Sequence, residues 1–275
     1  MVARTRKAIN PTVIILKIFF HNSNRFPNFH SLVLKLIAMI EKINLNNILF
    51  LDIETVPQEE NFNSLDNELK ELWEQKTQYQ RREDFTPEEF YDRAGIWAEF
   101  GKIICISAGY FVNKSDIRNF RVTSFFGDEK KILKDFSNLL DNYFNLAQHV
   151  LCGHNAKEFD IPFIARRMII NQIAIPQKLN LFGKKPWEIP HLDTLELWKF
   201  GDYKHFTSLK LLTKILDIPS SKGDIDGSQV ATVYYVEKDI DRIVTYCEKD
   251  VIAVAQIFLR LRREDLLVED EIIHV

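Results

Sequence analysis

Apolar residues run almost unbroken through Asn47–Val56 until Pro57 stops them, a β-rich pattern that reads as a strand. The next 43 positions, 58–100, turn polar and charged, with Leu69, Leu72 and Trp73 at helical spacing. There Thr86-Pro87-Glu88-Glu89 marks a helix start, Thr86 as N-cap and Pro87 at the first helical position. This segment is read as a helical insertion. Two further strands are expected at Lys102–Val112 and Asn119–Phe126. Apolar positions then recur every three or four residues over Asp128–Phe144, a helix. Val150–Gly153 is a short apolar strand, and a helix is expected from Pro162 to Asn171. Residues 172–190, with Pro176, Pro186 and Pro190, read as loop. Helices come next at Thr194–Phe200, Ser208–Leu216 and Gly227–Val236. A long one at Lys238–Arg262 has Ile240, Ile243, Val244, Cys247, Val251, Val254 and Phe258 on its apolar face. Three strands, a helix, a strand and then helices predict an α/β fold, a mixed sheet with helices on both faces.

Composition changes this picture little. Of the 275 residues, 46% are apolar and 27% charged, enough for a core without disulfides or structural zinc. The net charge of −3 argues mildly against a protein that coats nucleic acid by bulk phosphate neutralisation, but not against one gripping a few nucleotides in a groove. Residues 1–38 stand apart. They hold Arg4, Arg6, Lys7, Lys17, Arg25 and Lys35 and no acid, and Met39 comes directly after them. They read as an N-terminal extension outside the natural chain, with residues 39–275 as the domain. The apolar run Val13–Phe20 is too short to span a bilayer, and no clean cleavage site lies after it. Cys105, Cys152 and Cys247 are odd in number and widely spaced, which fits a reducing cytosol and argues against a disulfide framework or a zinc site. A cytoplasmic location and no membrane partner are expected.

Three acidic patterns carry the chemistry. In a strand, residues two apart share a face, so Asp52 and Glu54 project together from the end of an apolar run. Two like charges side by side repel unless one is protonated or a hard cation lies between them. On its own the pair is weak, since acids are common where strands fray. Asn155 through Asp160 comes after the short strand Val150–Gly153 at a strand-to-helix turn, where Asp160 is either a ligand or a helix cap. Tyr246 and Asp250, four apart, lie on one face of the long helix among apolar neighbours, where a carboxylate needs a partner. A metal or a buried donor would serve.

Taken together and in this order, Asp52/Glu54, Asn155–Asp160 and Tyr246/Asp250 resemble the motifs of the DEDD exonuclease superfamily, in its tyrosine subclass. The likeness is to stand-alone proteins similar to the proofreading exonuclease domain of family-B DNA polymerases. It covers residues 46–262 and fills every motif position; residues 1–38 lie outside it. The resemblance implies a ribonuclease-H-like fold and 3′→5′ hydrolysis of single-stranded nucleic acid, DNA favoured. It implies two divalent cations about 3.5–4 Å apart. Asp52 would bridge both, Glu54 and Asp250 would complete one, and Asp160 would hold the other through water. Tyr246 would orient the attacking water. With all-oxygen ligands, Mg²⁺ or Mn²⁺ is expected, and Zn²⁺ is disfavoured without His or Cys in the set. His154, Asn155 and Phe159 are candidate contacts to the terminal nucleotide, against a turn-stabilising role for the first two.

Other residues read more plainly. Lys184-Lys185-Pro186-Trp187 could track a phosphate and stack a base, but is first a solvated loop. Lys204, His205, Lys210, Arg166 and Arg167 read as polar surface, Asp193-Thr194 as a helix cap and 222–226 as a turn. The competing functions are an exoribonuclease similar to ribonuclease D and a catalytically dead scaffold. The filled motifs weigh against the scaffold. No polymerase domain fits in the chain, so partnership with a DNA polymerase or repair complex would be in trans.

Overall fold

In the computed structural model the strand expected at the first apolar run is β1, Ile48–Pro57, third in a six-stranded sheet. The structure describes residues 40–81, 84–114, 117–202, 204–219 and 224–275. The expectation for residues 1–38 lies outside them, as do the first two positions of the turn at 222–226. Asn44–Val275 forms one compact unit. The other strands are β2 (Gly101–Lys114), β3 (Ile117–Phe126), β4 (Val150–Gly153), β5 (Leu192–Asp193) and β6 (Ile272–His274), in the order β5-β4-β1-β2-β3-β6. β1, β2 and β3 pair antiparallel; β4 joins β1, β5 joins β4 and β6 joins β3 in parallel. The mixed sheet is flanked by helices α1 (Asn67–Arg81), α2 (Glu129–Tyr143), α3 (Asp160–Ile170), α4 (Thr194–Lys199), α5 (Leu209–Ile215), α6 (Val230–Thr232) and α7 (Ile240–Leu261). This is the ribonuclease-H-like α/β fold that the resemblance implied. β5 and β6 are two and three residues long, too short for a periodicity signal, and exist only because a neighbouring strand pairs with them.

The two-residue period of β1 sorts its side chains. Leu49, Leu51 and Ile53 enter one core with Ile106, Ile132, Phe136, Ile161 and Ile164 of β2, α2 and α3. Phe50 faces the other way, edge-on to Phe111, Phe120 and Phe258, under α7. α7 buries Ile243, Cys247, Val251, Val254 and Phe258 at three- and four-residue spacing. The alternation therefore sends Asp52 and Glu54 towards α7.

The insertion after β1 is helical but differs in its second half. Thr86 and Glu89 form the reciprocal capping box, with Thr86 N–H to Glu89 at 2.8 Å and Glu89 N–H to Thr86 Oγ1 at 3.2 Å. The box leads into a turn and a 3₁₀ helix, Tyr91–Ile96, and no α-helix. Local capping is overridden by packing: Tyr91, Phe90, Trp97 and Phe100 close around the fully buried Trp73 of α1. The helix expected at Gly227–Val236 is one turn of α6 continued by a π-helical turn, Val233–Glu237.

Candidate active site

β1 brings two carboxylates to one place, and the sheet sets what they meet. Asp52 sits opposite Ser107 and Glu54 opposite Cys105 of β2, with a bulge after Glu54. A bulge bends the strand and re-aims the side chains beside it. Asp52, Glu54 and Cys247 of α7 place ligand atoms within 4.8 Å of one another. Glu54 is only 7% exposed, and no described residue donates a hydrogen bond to its carboxylate.

The second motif reaches the same spot because β4 lies parallel beside β1, its last pair, Cys152 with Phe50, falling just before Asp52. A Cβ on Gly153 would stand 2.4 Å from that of Ala156, so only glycine lets the turn fold back this tightly. Asn155 turns the chain at φ 66°. α3 then starts at Asp160, which is 4% exposed, and its Oδ1 accepts the Ile53 N–H at 3.2 Å. Asp160 is thus tied to the β1 backbone between Asp52 and Glu54. The third motif descends from α7. Tyr246 stands beside Asp250 one turn on, and Asp250 faces Asp52 and Glu54.

Electrostatics record this convergence. Burial first, then the charges of Asp160, Glu54 and Asp250, hold Asp52 well above the ordinary carboxylate range. Burial, then Asp250, Cys105 and Asp160, do the same to Glu54. Burial lifts Asp160 to about 7 and Asp250 to about 6. Burial and the three acids Asp250, Glu54 and Asp52 push the Tyr246 hydroxyl up, so it stays protonated at neutral pH. Four carboxyl groups share a desolvated space, and none of them forms an ion pair with a basic side chain among the described residues. An oxygen-lined site of this kind fits divalent cations, because a cation removes the repulsion that protons otherwise relieve.

The match to known families falls on this part of the chain. A family model for a predicted 3′-5′ exonuclease related to the exonuclease domain of PolB matches residues 96–271. The chain belongs to that family. The matched stretch carries Asp160, Tyr246 and Asp250; Asp52 and Glu54 precede it and join the site through the β1–β2 and β1–β4 pairings. No curated protein matches the chain.

The nucleotide-contact candidates diverge in this PolB-related exonuclease. His154 has both ring nitrogens engaged, Nδ1 with Thr194 Oγ1 at 2.9 Å and Nε2 with the Thr207 carbonyl at 2.8 Å. It braces the turn, the alternative that the sequence left open, and has only its ring face to offer a ligand. The Asn155 side chain makes no hydrogen bond to a described residue. Phe159 is half-buried against Phe163, ring centroids 5.4 Å apart. Trp187 is exposed, with Lys185 Nζ 5.4 Å from its ring centroid, as a solvated loop would have it. Arg167 is not polar surface. It is 4% exposed and bridges α3 to Glu129, at 2.6 Å, and to the Ala98 carbonyl and Gln58. Two neighbouring arginines hid this, since only one faces inward.

Two features escaped sequence reasoning. Asp193 caps α4, as expected, but also accepts the Asn155 and Lys157 N–H groups at 2.9 and 3.1 Å, clamping the motif-two turn from 38 and 36 positions away. Cys247 places Sγ 3.6 Å from Asp52 Oδ2 and next to the Cys105 thiol. Its neighbour Tyr246 and its i,i+3 relation to Asp250 were the available signals. From Cys105 a hydrogen-bonded chain runs through Ser107, Ser124 and Glu248 to His274 of β6, with links of 3.7, 2.8, 2.8 and 2.6 Å.

Proposed function

We propose that this exonuclease hydrolyses the terminal phosphodiester bond at the 3′ end of single-stranded DNA, using two divalent cations, Mg²⁺ or Mn²⁺. The observation that carries the reading is the convergence of Glu54, 7% exposed and without a hydrogen-bond donor among the described residues, to within 4.8 Å of an Asp52 ligand atom, facing Asp250 and Asp160. A protein that only bound a partner would have no use for four desolvated acids, whose mutual repulsion weakens the fold.

Asp52, Glu54, Asp160 and Asp250 are the residues that would hold the cations, which supply an activated water and offset charge on the transferring phosphoryl group. The rest falls to the chain. The protonated Tyr246 hydroxyl, beside Asp250, orients the water rather than deprotonating it. Asp160, anchored on the Ile53 N–H, keeps the leaving-oxygen side rigid. Asn155, with a free side-chain amide, and Phe159 bind the terminal nucleotide, with the His154 ring behind the turn. The enzyme is a cytoplasmic one acting on free 3′ ends, with a DNA polymerase or repair complex as partner in trans. Among the described residues no helix is long and apolar enough to cross a membrane.

The test is digestion of matched end-labelled single-stranded DNA and RNA with Mg²⁺ or Mn²⁺, with Asp250→Ala as control. Laddering from the 3′ end of DNA, lost in the variant, is the expected result. Preference for RNA would shift the substrate to that of an exoribonuclease similar to ribonuclease D. No metal-dependent release from either polymer would overturn the reading.

A further inference from the structure

The acids of this site are not its whole donor set. Cys247 is fully buried on α7, and its thiol points at Asp52, with Sγ 3.5 Å from the backbone carbonyl and 3.6 Å from Oδ2. Glu54 points into the same space, more than nine-tenths buried and without a hydrogen-bond donor among the described residues. One thiol and two carboxylates, all within 4.8 Å, is a different offer from an all-oxygen site. Sulfur at ~2.3 Å and oxygen at ~2.1 Å from one tetrahedral cation lie about 3.6 Å apart. That is the Cys247–Asp52 separation. Hard cations gain nothing from sulfur, whereas borderline-soft ones prefer it.

We propose that Asp52, Glu54 and Cys247 form a mixed oxygen–sulfur site that captures one thiophilic divalent cation of the Zn²⁺ class, displacing the hard cations and inhibiting the nuclease. Binding forms a sulfur–metal bond as the S–H proton leaves to solvent. Three protein ligands leave the fourth position to water. The inhibition rests on the exonuclease reading, since the same Asp52 and Glu54 serve both; the capture itself needs only the donor set. Sequence reasoning set Zn²⁺ aside for want of His or Cys among the ligands, and the fold supplies the Cys.

The experiment uses the full chain and Cd²⁺ as probe, since thiolate-to-cadmium charge transfer absorbs in the ultraviolet where carboxylate ligation does not. Wild type, Cys247→Ser and Cys105→Ser are titrated with Cd²⁺ and, separately, with Mn²⁺ by calorimetry. Wild type and Cys105→Ser are expected to show the band at one equivalent, and prior Cd²⁺ to block Mn²⁺. In Cys247→Ser the band is lost and Cd²⁺ affinity falls at least about tenfold, with Mn²⁺ affinity within about threefold of wild type. Should Cys247→Ser not fold, X-ray absorption on cadmium-loaded wild type decides, with one sulfur among oxygen neighbours expected and an all-oxygen shell overturning the proposal. A band that persists in Cys247→Ser, or its absence from wild type that still binds Mn²⁺, overturns the proposal and leaves the exonuclease reading standing. Failure to bind either ion removes both.

Discussion

Replacing Asp160 by Asn tests whether burial of the acids works against the fold. Asp160 is 4% exposed and its carboxyl is lifted from 3.8 to about 7. A folded value above the unfolded one means that the native state holds the proton more tightly. The associated stability is therefore complete below about pH 4 and drains away as pH rises to about 7. At about 1.4 kcal/mol per tenfold change, ionising this group costs the native state about 4 kcal/mol above pH 7, of which about 2 kcal/mol is already lost at pH 5. Asn keeps the acceptor for the Ile53 N–H but cannot ionise. In chelator, the variant should thus gain on wild type by about 2–3 kcal/mol between pH 5 and pH 8. That is about 5–10 °C in Tm for a unit of this size. His191, pushed down to about 4 by burial, changes stability in the opposite sense, but equally in both proteins. Mn²⁺ at about a hundred times its Kd should return about 2.7 kcal/mol to the wild type, and less to the variant. The assay is thermal unfolding at each pH, with chelator and with Mn²⁺. A variant–wild-type gap that is flat, or that narrows as pH rises, refutes the reasoning.

Single contacts set the other expected outcomes. Tyr246→Phe should lower kcat about a hundredfold while Mn²⁺ affinity, by calorimetry, stays within about threefold, because the hydroxyl orients water and is no ligand. Asp52→Ala and Asp250→Ala should each abolish detectable release of nucleotides, and the double variant should be no worse than Asp52→Ala in a long single-turnover assay, since the acids act as a unit. Arg167→Ala takes from the half-buried Glu129 its 2.6 Å partner, leaving the Ile103 and Asn171 N–H donors, and should cost about 3 kcal/mol in urea unfolding. Asp193→Ala removes the clamp on Asn155 and Lys157 as well as a helix cap. It should cost about 2 kcal/mol and raise KM for oligonucleotide, and a stability loss without a kinetic change would show that the turn holds its shape alone.

Much of the molecule was legible in one dimension because local rules dominate there. The period of β1 already put Asp52 and Glu54 on one face, and i,i+4 spacing already paired Tyr246 with Asp250. Asp128, Asp193 and Ser208 cap helices as their residue types dictate. Pairing across sequence distance set everything that the chain could not disclose. The β1–β2 register puts Cys105 against Glu54, and α7 lays Cys247 over Asp52. Asp193 reaches back to the turn at Asn155, and Arg167, alone of two adjacent arginines, turns inward to Glu129. A single chain determines which face a side chain takes. Only packing of the sheet against its helices decides which distant group shares that face, because such contacts have no spacing of their own to be read.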